Sequence, residues 1–154
     1  IVWYTGSNQP ISIEEIINIA KKYIKNNGNV YVGTDSFISK NKCVFATALC
    51  LHGADTESGN RYFFKKSIVK KNKFSSLLQR ITREVERTLE LAELLYENDI
   101  EEFEIHIDVS PPNKATKTSK FSDMLTGYVK GNGFTCKIKP NAWASTSVAD
   151  KHSK

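Results

Sequence analysis

Three strand-like runs follow one another along the chain, at about Val30–Asp35, Cys43–Leu51 and Arg61–Val69, separated only by the polar turns "ISKNK" and "HGADTESGN". Consecutive strands joined this closely favour antiparallel pairing, because a parallel crossover needs a dozen residues or more. The order then changes in kind. A long helical stretch at about Phe74–Asn98 is followed by the strand "FEIHIDVS", the loop "PPNKATKTSK" and a helix in "KFSDMLTGYVKGNG". The short strand "FTCKIKP" and a last short helix in "NAWASTSVADKHSK" close the chain. A meander followed by alternating helices and strands predicts an α/β fold on a mixed sheet flanked by helices. Ahead of the meander, Ser12-Ile13-Glu14-Glu15 is a capping box, with Ile11 and Ile16 as a hydrophobic staple. It predicts a helix at about 12–27, ended by Asn26-Asn27-Gly28.

The 154 residues suit a single domain over 1–154. No apolar run approaches the roughly 18 residues of a membrane span, and "IVWYTGSNQP" lacks the basic and apolar regions of a secretion signal. That apolar opening reads as a core segment or a partner contact. Cys43, Cys50 and Cys136 are odd in number and lie in strand-like contexts, which reads as buried thiols in a reducing, cytoplasmic setting. The net charge of +5 permits a polyanionic partner.

The acidic residues have a more specific pattern. Asp35 stands where the apolar run "NVYVGTDS" turns polar, and it reads either as a turn-forming aspartate or as a ligand. Asp108 repeats the arrangement: Phe103, Ile105 and Ile107 alternate with Glu104, His106 and Asp108 before Ser110-Pro111-Pro112. If the two strands are parallel neighbours, both carboxylates lie at one edge of the sheet, where open α/β sheets place ligands. In the long helix, stepping about 100° per residue from Ile81 puts Val85, Leu89, Ala92, Leu95 and Tyr96 on one apolar arc. Glu84 falls inside that arc, where a charge is costly unless paired or bound to metal. Asp150 is a fourth candidate, with His152 two residues on as a possible base or ligand. His106 reads as a satisfied, partly buried histidine, and His52 as a hairpin residue. Carboxylates brought together raise one another's pKa. A divalent ion removes that conflict, and oxygen-only donors suit Mg²⁺ or Mn²⁺. Such a centre polarises a phosphodiester and generates hydroxide from water.

Element order and this acidic series together resemble the ribonuclease H-like fold and, more closely, the YkuK-like family of ribonuclease H-related proteins. The residues that carry the resemblance are "VYVGTDS", "LLQRITREVE", "IHIDVS", "KTSKF" and "GFTCKIKPNAWASTSVADKHSK". It implies a mixed five-stranded sheet, the first three strands antiparallel. It also implies four acidic site residues, which fall by position on Asp35, Glu84, Asp108 and Asp150. Asn141 stands where relatives carry an acidic residue after "KP".

Lys70, Lys71 and Lys73, then Lys114 and Lys117 in the loop after Asp108, read as a solvated surface or as a phosphate-backbone footprint beside the acids. Arg80, Arg83 and Arg87 on the long helix extend that basic stretch, and Phe74, Tyr128 and Trp143 are candidates for base stacking or for the core. The expected function is divalent-metal-dependent hydrolysis of RNA, DNA or a hybrid. The alternative is a nucleic-acid-binding module that keeps the fold without the chemistry. An actin-like phosphotransferase ranks last, since no second lobe or glycine-rich phosphate loop is visible.

Overall fold

Ser12 starts the first helix by accepting the Glu15 backbone N–H at 3.2 Å, and α1 (Ile13–Lys25) runs from it. Ser76 does the same for Gln79 at 3.2 Å and starts α2 (Leu77–Glu97). The other helices are α3 (Ser122–Gly131) and α4 (Asp150–Ser153), the last continuous with a π-helical turn at Ala144–Ala149. The protein is represented by a computed structural model that describes residues 2–55, 59–70, 73–74 and 76–154. Among these, no helix is long and apolar enough to cross a membrane.

The strands are β1 (Trp3–Thr5), β2 (Pro10–Ile11), β3 (Asn29–Ser39), β4 (Lys42–His52), β5 (Arg61–Lys70), β6 (Glu104–His106) and β7 (Cys136–Lys137). They form one sheet in the order β2-β1-β5-β4-β3-β6-β7. The meander β3-β4-β5 is antiparallel, and β6 and β7 add to β3 in parallel. The sheet is therefore mixed, as expected, but it has seven strands and not five. The two extra strands come from the opening segment, where Trp3 pairs with Lys65 of β5 and Ile11 pairs back onto Trp3. Strands this short carry no readable alternation. Their role shows in burial, since the Trp3 side chain belongs to the core.

The two faces of the sheet are covered differently. Val30, Val32, Leu49, Leu51, Phe63 and Ile105 pack with buried residues of α1, α2 and α3 into the main core. The opposite face is held by a thin layer in which Ala144 and Ala149 lie on Ala48 and Cys50, flanked by Tyr31, Tyr62 and Trp143. The small residues of "AWASTSVA" let this segment lie close to the sheet. Gly33 completes the fit: a Cβ there would stand 2.7 Å from the Ser145 backbone nitrogen and 3.1 Å from the Ala144 carbonyl carbon. The glycine of "GTDS" thus serves a close approach of backbone and not a turn. Ala142 O accepts the side-chain hydroxyls of Ser145 and Thr146 at 3.0 and 3.1 Å, the kind of local bonding that competes with regular helical pairing. His106, fully buried, accepts the Ala144 backbone N–H at Nδ1 (3.0 Å) and bonds Glu104 through Nε2 (2.8 Å). Those partners fix a neutral ring protonated at Nε2, and burial keeps its pKa below the usual histidine range. His106 is a clamp for the C-terminal segment.

Gly33→Ala is expected to push that segment off the sheet and to lower stability by about 1–3 kcal/mol, the usual cost of overpacking. Denaturant unfolding of the two proteins measures it; an unchanged midpoint would show that the segment can shift freely.

Candidate metal centre

β6 pairs with β3 only from Tyr31 to Gly33, whereas β3 runs on beside β4 to Ser39. Beyond Gly33, one edge of β3 therefore has no strand partner among the described residues. Asp35 lies two residues past that junction, and Asp108 lies two residues past the end of β6. Parallel pairing carries both to the same place. The expectation that β3 ends at Asp35 is corrected: the carboxylate is inside the strand, and what ends there is the neighbouring strand. The polarity change in "GTDS" marks an edge without a neighbouring strand among the described residues.

Glu84 arrives from α2, on the other side of the sheet. Thr88 Oγ1 donates to Thr34 Oγ1 at 2.8 Å, and Thr34 bonds Thr47 at 3.1 Å. One turn earlier on α2, Ser36 Oγ donates to Glu84 Oε2 at 2.5 Å. Thr34 and Ser36 alternate with Asp35, so the pins face α2 while Asp35 faces the C-terminal layer. One oxygen each from Asp35, Glu84 and Asp108 lies within 4.8 Å of the other two. Asp35 and Glu84 are only 6% and 5% exposed.

At an effective dielectric near 20, unit charges 4.8 Å apart repel by about 3.5 kcal/mol. In the metal-free protein this repulsion and burial together favour the neutral form of the carboxyls. Burial, then hydrogen bonds with Asp150 and Asp108 and their charges, push the Asp35 carboxyl up from 3.8 to about 8. Burial, then the charges of Asp35 and Asp108, hold Glu84 well above the usual range against the pull of Ser36 and Arg80. For Asp150, burial works upward, but the hydrogen bonds of Asp35 and Lys154 and the charges of Lys154 and Lys139 outweigh it and bring the carboxyl down. The pKa values of the two carboxyls are thus pushed apart, that of Asp35, the more buried, upward and that of Asp150 downward.

Two lysines edge the cluster. Lys154 Nζ lies 3.1 Å from Asp150 Oδ2, and Lys139 Nζ lies 2.7 Å from Asp108 Oδ1. The second pair is ionic contact without hydrogen-bond direction, so Asp108 Oδ1 is buried with no hydrogen-bond partner among the described residues. Ser153 Oγ, also buried, donates to Asp35 Oδ2 at 3.2 Å. An all-carboxylate donor set in which Asp35 and Glu84 have raised pKa values fits a hard divalent cation. Opposite ligands of Mg²⁺ stand about 4.2 Å apart, so the 4.8 Å spread asks for only a small closing movement.

The other sequence candidates lie around this centre. Asp150 reaches Asp35 from α4. His152 is placed otherwise: its ring stacks on Phe64 at 3.7 Å and its Nε2 bonds the Tyr62 hydroxyl at 2.9 Å, so its contacts are with β5 and not with the carboxylates. His52 stacks on Trp143 at 4.5 Å, and Trp143 also packs on Tyr31. Phe74 packs on Phe45, while Tyr128 is exposed. Lys70, Lys73, Lys114 and Lys117 are exposed; Lys71 lies outside the described residues. Arg83 pairs with Glu86 at 3.2 Å and Arg87 with Glu90 at 3.8 Å, so that helix face is balanced in charge. Asn141 is exposed. Sequence reasoning missed Ser36, Lys139 and Ser153. Strand alternation was a usable signal for Ser36; nothing local marks the other two.

Because Asp35 binds its proton more tightly folded than unfolded, its contribution to stability is complete below about pH 4. It is lost as pH rises toward 8. Glu84 acts in the same direction. Metal-free protein is therefore expected to lose stability steadily between those values, and Asp35→Asn to flatten the decline. Thermal melts across that range in chelator test this; a melting temperature that rises with pH over the window contradicts it.

Comparison with known proteins adds one finding. A family model described as Ribonuclease H-like matches residues 12–154, while no curated protein and no solved structure matches the chain. The matched span takes in α1, the strands from β3 to β7 and every carboxylate of the centre, and the chain belongs to the ribonuclease H-like family.

Proposed function

We propose that this protein is a divalent-metal-dependent nuclease that hydrolyses phosphodiester bonds in RNA, DNA or a hybrid of the two. Asp35, Glu84 and Asp108 would hold Mg²⁺ or Mn²⁺, with Asp150 as a further ligand on the C-terminal side. The observation that carries this reading is the convergence of three carboxylates from β3, α2 and the end of β6 on one unpaired sheet edge. When bound, the ion supplies Lewis acidity toward the phosphoryl oxygen and a water of lowered pKa. The chain's own residues do the rest. Ser36 aims Glu84, the Thr34–Thr88 bond fixes the height of α2, and Ser153 orients Asp35. Exposed Lys114 and Lys117, in the loop that follows Asp108, with Lys70 at the end of β5 and Lys73 beyond it, would position the phosphate backbone without reading sequence.

Within the family, "VYVGTDS" and "GFTCKIKPNAWASTSVADKHSK" favour the YkuK-like group. The proposal takes residues 1–154 as one domain working in a reducing, cytoplasmic compartment. It is supported by three free thiols, of which Cys43 and Cys50 are buried, with burial pushing Cys50 up to about 12. Such thiols are inert.

Asp35→Asn is expected to remove Mg²⁺- or Mn²⁺-dependent cleavage of labelled RNA, DNA and hybrid duplexes while leaving the fold intact. Ser36→Ala, which changes only how Glu84 is held, should cost about 10–100-fold in metal affinity or activity. Asp35→Asn protein that cuts as well as the parent would overturn the assignment. A parent protein that binds nucleic acid in a salt-dependent way, but neither cuts it nor gains thermal stability from Mn²⁺, would establish the binding module instead.

A further inference from the structure

Lys139 occupies a position that the metal reading does not use. Its ammonium stands 2.7 Å from Asp108 Oδ1, the buried oxygen without a hydrogen-bond partner. Its backbone N–H donates to Val109 O at 3.0 Å, one residue beyond Asp108, so the lysine is tied to the strand end that carries the carboxylate. Its charge also acts on Asp150. In two-metal centres the ions lie about 3.5–4 Å apart, so a second ion would stand close beside the carboxylates that hold the first. Lys139 thus already supplies positive charge to Asp108 by contact and to Asp150 through its field, the charge that a second ion would otherwise bring.

We propose that the centre takes one divalent ion, among Asp35, Glu84 and Asp108, and that Lys139 replaces the second. This rests on the metal-dependent reading above and specifies it. Charge counting supports the choice. Four carboxylates and one phosphodiester bring five negative charges. One divalent ion, Lys139, Lys154 on Asp150 and Arg80 near Glu84 bring five positive ones. A second ion would leave an excess of two positive charges in a partly buried site, which is unfavourable. In the reaction, Lys139 would stay on the Asp108 side and neutralise charge on the phosphoryl group, as a point charge needing no particular geometry.

Counting Mn²⁺ on the full chain by electron paramagnetic resonance tests this without reference to activity. The parent is expected to bind one isolated ion. Lys139→Met should gain a second ion with the spectrum of a spin-coupled pair, and Lys139→Arg, which keeps the charge, should return to one. A coupled pair in the parent would overturn the inference while leaving the nuclease reading in place. So would a folded Lys139→Met protein that still binds one ion with unchanged affinity. A parent that binds no Mn²⁺ would remove the nuclease reading and this inference with it.

Discussion

Like charges held a few ångströms apart in a poorly solvated place are the constraint to which the rest of this structure answers. Asp35, Glu84 and Asp108 reach one another within 4.8 Å, and Asp150 bonds to Asp35 from the side. A chain selected for stability alone would not gather them. The surrounding structure relieves the repulsion by several means together: carboxyls of Asp35 and Glu84 whose pKa is pushed up, hydroxyls from Ser36 and Ser153, and ammonium groups from Lys139 and Lys154. A divalent ion answers the same need more completely, because one ligand sphere satisfies several oxygens at once.

The edge on which the acids meet exists because neighbouring strands differ in length. β3 and β4 are paired over their full extent, whereas β6 covers only three residues of β3. Where β6 stops, a stretch of β3 is left open to side chains from both faces of the sheet. One face brings α2, pinned by threonine and serine hydroxyls. The other brings the C-terminal turn, pressed onto Gly33 and clamped by His106. Asp150 and Ser153 arrive with that turn. The packing of a glycine and a neutral histidine thus determines which groups surround Asp35.

Sequence patterns revealed the parts of the molecule whose signal is local. The capping box at Ser12 placed the start of α1, the start of α2 was read three residues early at Phe74 because its Ser76 cap was not recognised, and helical angle alone put Glu84 on the buried arc. Alternation brought out Asp108, and a run of β-branched and aromatic residues brought out Asp35. What escaped was set by pairing between distant segments. A strand of two or three residues at the amino end has no period to detect, and its place beside β5 depends on Trp3 finding the core. The point where β3 loses its neighbour is a property of β6 and cannot be read within "GTDS". Lys139 and Ser153 look like any polar residues until the C-terminal segment folds back. His152 drew notice through its closeness in sequence to Asp150, but a helical turn sends its ring toward Phe64 instead.

The account stands or falls on whether the gathered acids exist to bind a cation. Anomalous diffraction at the manganese edge, from crystals grown with Mn²⁺, reads this directly. The account expects a peak in contact with oxygens of Asp35, Glu84 and Asp108. A map with no peak at that edge of β3, or with these three side chains turned into separate environments, would contradict it.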